Sequence, residues 1–165
     1  MKIAVNSGHT INGKGYGAVG FIRESEETRK VVEELIPLLK KKGHKVVNAT
    51  VDTSTNYTNK AVSIANNAKA DLFISIHFNA GGGRGVEVFT WKGRKISRAI
   101  NIARNISDLG FKNRGVKDGS NFYVIKKTNM QSLLIEVCFV DSLYDTTLYC
   151  KLGAKKIAKA IADSI

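Results

Sequence analysis

Short apolar runs alternate along this chain with longer stretches in which apolar residues return every third or fourth position. The short runs are Lys2–Asn6, His44–Asn48, Asp71–His77, Gly85–Thr90, Asn121–Ile125 and Ser132–Val137, and each reads as a strand. Leu72–Ile76 and Leu133–Ile135 are apolar on both faces, as strands buried in a parallel sheet are. Gly85–Thr90 alternates instead, which places it nearer an edge. Between the strands, Val32, Leu35, Ile36 and Leu39 mark a helix over Arg23–Lys42 that Gly43 closes. Pro37 should bend this helix or leave a backbone bond unmade. Ala61, Ile64, Ala65 and Ala68 mark a second helix over Tyr57–Lys69. Ile96, Ile100, Ala103 and Ile106 mark a third over Lys92–Leu109. The segment Asp141–Ile165 is mostly helical, with Leu148, Leu152, Ile157 and Ile161 inward, and Lys112–Ser120 reads as a basic loop. Strands alternating with helices predict one layered α/β domain over residues 1–165. Its sheet should be twisted and mostly parallel, of about six strands, with helices on both faces.

The chain has 165 residues, enough for one domain with a real core. No linker, repeat or low-complexity segment interrupts it. The apolar stretch after Lys2 is about five residues, short of the roughly 7–15 of a secretion signal, and no run approaches the ~18 of a membrane span. Cys138 and Cys150 are expected to be reduced and buried rather than bridged. Charge changes the picture most. Twenty-six basic against fourteen acidic residues leave a net +12. Such a surplus points to a polyanionic partner, or else to a solvated surface with none.

Two of the three histidines stand where apolar strands end: His9 after Lys2–Asn6, and His77 closing Asp71–His77. In open α/β sheets ligands gather beyond the carboxyl ends of strands. Such a pair is either two satisfied structural imidazoles or two ligands of a shared metal. A hydrolytic zinc takes three protein ligands, typically two histidines and a carboxylate. The candidate carboxylates are Glu24, Glu26, Glu27, Glu87 and Glu136. Glu26 and Glu27 resemble ordinary first-turn helix residues, and Glu24 lies where a glycine-rich loop meets the helix. Glu136 interrupts an apolar strand, so it is either salt-bridged or part of a site. His44 is expected to meet only solvent or the helix end.

Gly8-His9, Glu24, His77-Phe78-Asn79-Ala80 and Leu134-Ile135-Glu136, with Arg114-Gly115-Val116-Lys117 and Phe122–Ile125 between, occur in an order that resembles the zinc-dependent N-acetylmuramoyl-L-alanine amidases of type 3. The resemblance spans essentially the whole chain. It implies one zinc ion held by His9, Glu24 and His77, with Glu136 as the catalytic carboxylate, and substrate contacts from Asn79, Arg114 and Lys117. It further implies hydrolysis of the amide between N-acetylmuramic acid and L-alanine, with peptidoglycan and anionic wall polymers as partners. The segment after Gly8-His9 lacks an acidic residue common in many relatives. A monomer is expected, without nucleic acid and without a membrane span. The chain is expected to be made in the cytoplasm and to act on the wall after release, or to be a fragment of a longer secreted protein. Two other readings remain open. One is a non-catalytic basic module for anionic polymers, although few aromatics accompany the basic runs as stacking on single strands would want. The other is a zinc carboxypeptidase-like or aminopeptidase-like hydrolase, with Arg84 or Arg114 meeting a charged terminus.

Overall fold

The computed structural model describes residues 1–165. The apolar runs form β1 (Lys2–Ser7), β2 (Lys45–Asn48), β3 (Leu72–Asn79), β4 (Val86–Thr90) and β6 (Gln131–Phe139), with β5 (Asn113–Asp118) at an edge. They build one sheet in the order β2-β1-β3-β6-β4-β5. The four strands from β2 to β6 in that order run parallel, whereas β4 runs antiparallel to β6 and β5 is parallel to β4. The expected mostly parallel α/β sheet with helices on both faces is borne out. β4 lies one strand in from the edge, in keeping with its alternating pattern.

The helices are α1 (Glu24–Lys41), α2 (Tyr57–Asn67), α3 (Ser97–Ser107), α4 (Tyr123–Lys126), α5 (Leu143–Leu152) and α6 (Ala154–Ala162). They cover the sheet unequally. Residues from α1, α3, α5 and α6 join one face in a core of 28 buried residues, while the other face has only 9, from α2, α4 and the sheet. The second face carries Ala4, Phe73 and Leu134 and is the thinner layer. None of the helices is long and apolar enough to cross a membrane.

Several expectations need correction. Asn121–Ile125 is not a strand. Phe122 accepts hydrogen bonds from the amides of Ile125 and Lys126, closing the short helix α4, and Val124 and Ile125 pack inward. Packing thus overrides β propensity here. The basic loop Lys112–Ser120 contains the edge strand β5, whose half-exposed, charged residues hide any alternation and suit an unpaired edge. The third helix begins at Ser97, not Lys92, because Trp91–Gly93 forms a tight turn with Lys92 (φ 55°) and Gly93 (φ 63°) in the left-handed region. Its buried face is Ala99, Ile102, Ala103 and Ile106, leaving Ile100 44% exposed. Cys150 is exposed, whereas Cys138 is buried as expected, and both are free. α1 runs on through Pro37, which is exposed along with Glu33, so the carbonyl that Pro37 cannot serve is on the solvent side.

Ile74 is fully buried in β3, between β1 and β6. Ile74→Ala is expected to lower unfolding free energy by about 2–5 kcal/mol. Ile100→Ala should stay within about 0.5 kcal/mol. Urea titration of both variants checks the corrected helix face.

Candidate metal centre

β1 ends at Ser7, and the Gly8 amide still donates to Ile76 of β3 (2.8 Å) before the chain turns away. A Cβ on Gly8 would lie 2.3 Å from the His77 ring, so only glycine lets the two strand ends approach this closely. The next residue, His9, is left-handed at φ 63°. Such a conformation in a non-glycine residue persists only where its surroundings hold it, and α1 supplies the hold. Thr28 Oγ1 donates to the Gly8 carbonyl at 3.3 Å, and Arg29 Nη2 to the His9 carbonyl at 3.1 Å. Arg29 is itself fixed by Asp52 Oδ1 (2.8 Å) and the Ser25 carbonyl (2.6 Å).

His77 is paired across the sheet with Glu136, and Glu136 is paired on its other side with Glu87. Side chains at paired positions stand on the same face, here the thinly covered one. A cleft of about 180 Å³ opens there, lined by His9, His77, Glu136, Tyr57, Phe122 and Tyr123 among others. Glu24, the first residue of α1, reaches in from the rim. Its Oε2 accepts from the Ala18 amide (2.8 Å) and its Oε1 from the Phe78 amide (3.1 Å).

Hydrogen bonding decides which imidazole nitrogens are bare. Asn6 Nδ2 donates to the Ala49 carbonyl, so Asn6 Oδ1 accepts the Ser75 hydroxyl at 2.8 Å. Ser75 Oγ then accepts from His77 Nε2 at 3.1 Å, which leaves His77 Nδ1 without a proton. His9 Nδ1 donates to the Gly15 carbonyl at 3.1 Å, which leaves Nε2 bare. Both bare nitrogens face one atom, Glu24 Oε1, at 3.3 Å from His9 and 3.1 Å from His77. Three lone-pair donors aimed at one another require a proton or a cation between them. Tetrahedral ligands about 2.0–2.1 Å from a zinc ion stand about 3.3–3.4 Å apart, close to these separations. The three residues therefore form a set that could hold a metal ion. Burial opposes charge on Glu24, but a proton shared with the His77 and His9 nitrogens, standing where a cation could, outweighs it and holds the carboxyl well below the usual carboxylate range. Burial pushes the His77 imidazole down, favouring its neutral, ligating form.

Glu136 has no basic partner. Its Oε2 is buried without a hydrogen bond, and burial, then the charges of Glu24 and Glu87, push its carboxyl well above the usual range. Glu87 is instead ion-paired with Arg114 Nε (2.7 Å) and accepts a hydrogen bond from Asn79 Nδ2 (2.9 Å). Two of the residues expected to touch substrate thus serve this buried carboxylate. The third, Lys117, lies exposed on β5 opposite Phe89. Glu26 pairs with Arg23, and Glu27 with Lys30 and the Tyr149 hydroxyl. His44 meets the amino terminus at 3.5 Å. The sequence reading missed Asn6, Ser75 and Arg29. The first two carried a signal, being polar residues inside apolar strands on the same face as His77.

The profile of the N-acetylmuramoyl-L-alanine amidase family matches residues 3–165. The chain belongs to that family. An uncharacterised protein of Clostridium perfringens is 38% identical over all of the chain and 51% of its own length. The N-acetylmuramoyl-L-alanine amidase CwlM of Bacillus licheniformis is 31% identical over 98% of the chain and 64% of its own length. The chain thus spans between half and two thirds of the length of these curated relatives. Among solved structures, the catalytic domain of the CD27L endolysin targeting Clostridia difficile superposes with a TM-score of 0.91 at 29% identity, covering 99% of this chain and 96% of that one.

In this family member Gly17 packs over the triad at φ 79°, where a Cβ would stand 2.6 Å from Glu24 Oε2 and 2.8 Å from the His9 ring. Gly17→Ala is expected to abolish tight binding of a divalent ion while the far-ultraviolet dichroism is kept. Arg29→Met should weaken binding by about 10–100-fold, as loss of a residue orienting a ligand does. Equilibrium dialysis against zinc measures both.

Proposed function

We propose that residues 1–165 form the catalytic domain of a zinc-dependent N-acetylmuramoyl-L-alanine amidase. Its substrate would be the amide joining N-acetylmuramic acid to L-alanine in peptidoglycan. The observation that carries this is the convergence of His9, Glu24 and His77 beside a buried carboxylate with one unpartnered oxygen, in a chain of the amidase family. His9 Nε2, His77 Nδ1 and Glu24 would hold the ion. A zinc ion in such a site supplies a water acidified toward neutral pH and polarises the scissile carbonyl.

The chain's own residues do the rest. Glu136 faces the cleft without an ion pair, since the nearby Arg114 is taken by Glu87, so nothing competes for its free oxygen. It accepts the proton of the attacking water and delivers it to the departing amide nitrogen, so one carboxyl serves as base and then as acid. Burial raises its affinity for that proton, and a cation at the triad works in the opposite sense. Together they bring the group toward the range where it can both take and give. Ser75 and Gly15 keep the imidazole protons off the ligating nitrogens. Phe122 and Tyr123, half-exposed at the start of α4, form an apolar wall along which substrate can lie.

The peptidase reading loses its anchors, since Arg114 is committed to Glu87 and Arg84 stacks on Tyr144 at 3.9 Å. The basic residues are no single patch. Lys155, Lys156 and Lys159 lie on α6, on the sheet face away from the cleft, and Lys159 pairs with Asp163.

Two measurements test the proposal. Digestion of purified walls should release new alanine amino termini without new reducing sugar, and reducing sugar without alanine would refute it. Glu136→Gln should keep metal and fold but lose about 10²–10⁴ in turnover. A variant that loses its metal would instead make Glu136 a ligand.

A further inference from the structure

Past α4, the same sheet face holds a second cavity of about 400 Å³ that the proposed reaction does not use. Ser132, on its floor, shares a face with Leu134 and Glu136, about 13 Å along β6 from the catalytic carboxylate. The walls come from the turn after β4, with Trp91 and Arg94, and from the end of α4, with Lys126. No carboxylate lines the cavity, and neither Arg94 nor Lys126 takes part in any ion pair of the protein. Trp91 is 37% exposed and lines the same cavity as both cations.

The turn that presents these groups is strained and braced. Lys92 and Gly93 are consecutive left-handed residues. The Lys92 amide donates to Ser120 Oγ (3.0 Å), Ser120 Oγ to Asp118 Oδ1 (2.6 Å), and Thr90 Oγ1 to the Arg94 carbonyl (2.9 Å). Backbone held in this way collects where a side chain must be aimed. His9, at the metal centre, is another left-handed non-glycine residue of the chain.

We propose that this cavity is a distal binding site for a polyanion with phosphodiester groups on a hydroxylated carbon chain, the chemistry of a wall polyol-phosphate polymer. Arg94 and Lys126 pair with phosphate oxygens, and Trp91 packs on the carbon chain. Gln131, whose carbonyl is already bonded to Arg98, turns its amide NH₂ to a polymer hydroxyl. A single aromatic suits a flexible polyol better than a nucleic-acid strand, which wants successive stacking platforms. The polymer's identity rests on the wall reading above, but the binding does not depend on catalysis.

Trp91 is the only tryptophan in the chain, so its fluorescence reports on this cavity alone. Poly(glycerol phosphate) titrated into the purified protein should give a saturable change in emission that weakens with added salt. Neutral chitotetraose should give none. The double variant Arg94→Ala/Lys126→Ala should bind about tenfold more weakly yet cleave a small soluble muropeptide at the unaltered rate. No saturable change, equal affinity in the double variant, or tighter binding of a single-stranded oligonucleotide would each overturn the proposal. Failure of alanine release with fluorescence binding intact would refute the amidase reading and leave this site standing.

Discussion

Three lone pairs pointing at one another are unstable without positive charge between them, and the rest of this structure depends on that constraint. His9 Nε2 and His77 Nδ1 are brought to 3.3 and 3.1 Å from Glu24 Oε1, about the spacing of ligands on one metal ion, by two paired strands and the helix that packs on them. β1 and β3 deliver the two imidazoles at adjacent parallel ends, and the first residue of α1 delivers the carboxylate. Gly8 and Gly17 remove the side chains that would keep these parts apart. The left-handed turn at His9 and the hydrogen bonds from Thr28 and Arg29 then hold the approach.

Around this point the protein places three nearly buried carboxylates, although the chain as a whole is strongly basic, and it treats each differently. Glu24 is kept ionised by its imidazole partners against the pull of burial. Glu87 is ion-paired with Arg114 and hydrogen-bonded by Asn79. Glu136 has neither kind of partner, so it is the one with an oxygen free for proton exchange. Carboxylates set side by side in different surroundings take different roles for that reason. The unequal covering of the sheet matters equally: thin α2 and α4 leave the strand ends open, while the opposite face carries most of the core.

The long apolar strands and periodic helices were legible because their burial is written into their spacing. Glu136 was legible too, since a carboxylate inside Leu133–Phe139 breaks an otherwise apolar run. The short helix α4 was not, because Phe122–Ile125 has strand propensity and only tertiary packing turns it. The edge strand β5 carries a single apolar side chain, Val116, and gave no alternation. At the site, the position of Glu24 at the junction of loop and helix set it apart from Glu26 and Glu27, but only resemblance made it the choice over Glu87 and Glu136 as the third member of the set. Asn79 and Arg114 were named for substrate, yet they bond Glu87, because pairing across strands is invisible until register is known.

The central claim is that His9 Nε2, His77 Nδ1 and Glu24 are one ion's ligands while Glu136 stands apart. Anomalous scattering at the zinc edge, from crystals grown with zinc, tests it most directly. The account predicts one strong peak about 2.0–2.2 Å from each of those three groups, with the Glu136 oxygens outside the coordination shell. A peak on His77 Nε2, a peak bonded to Glu136, or no peak at the triad would contradict it.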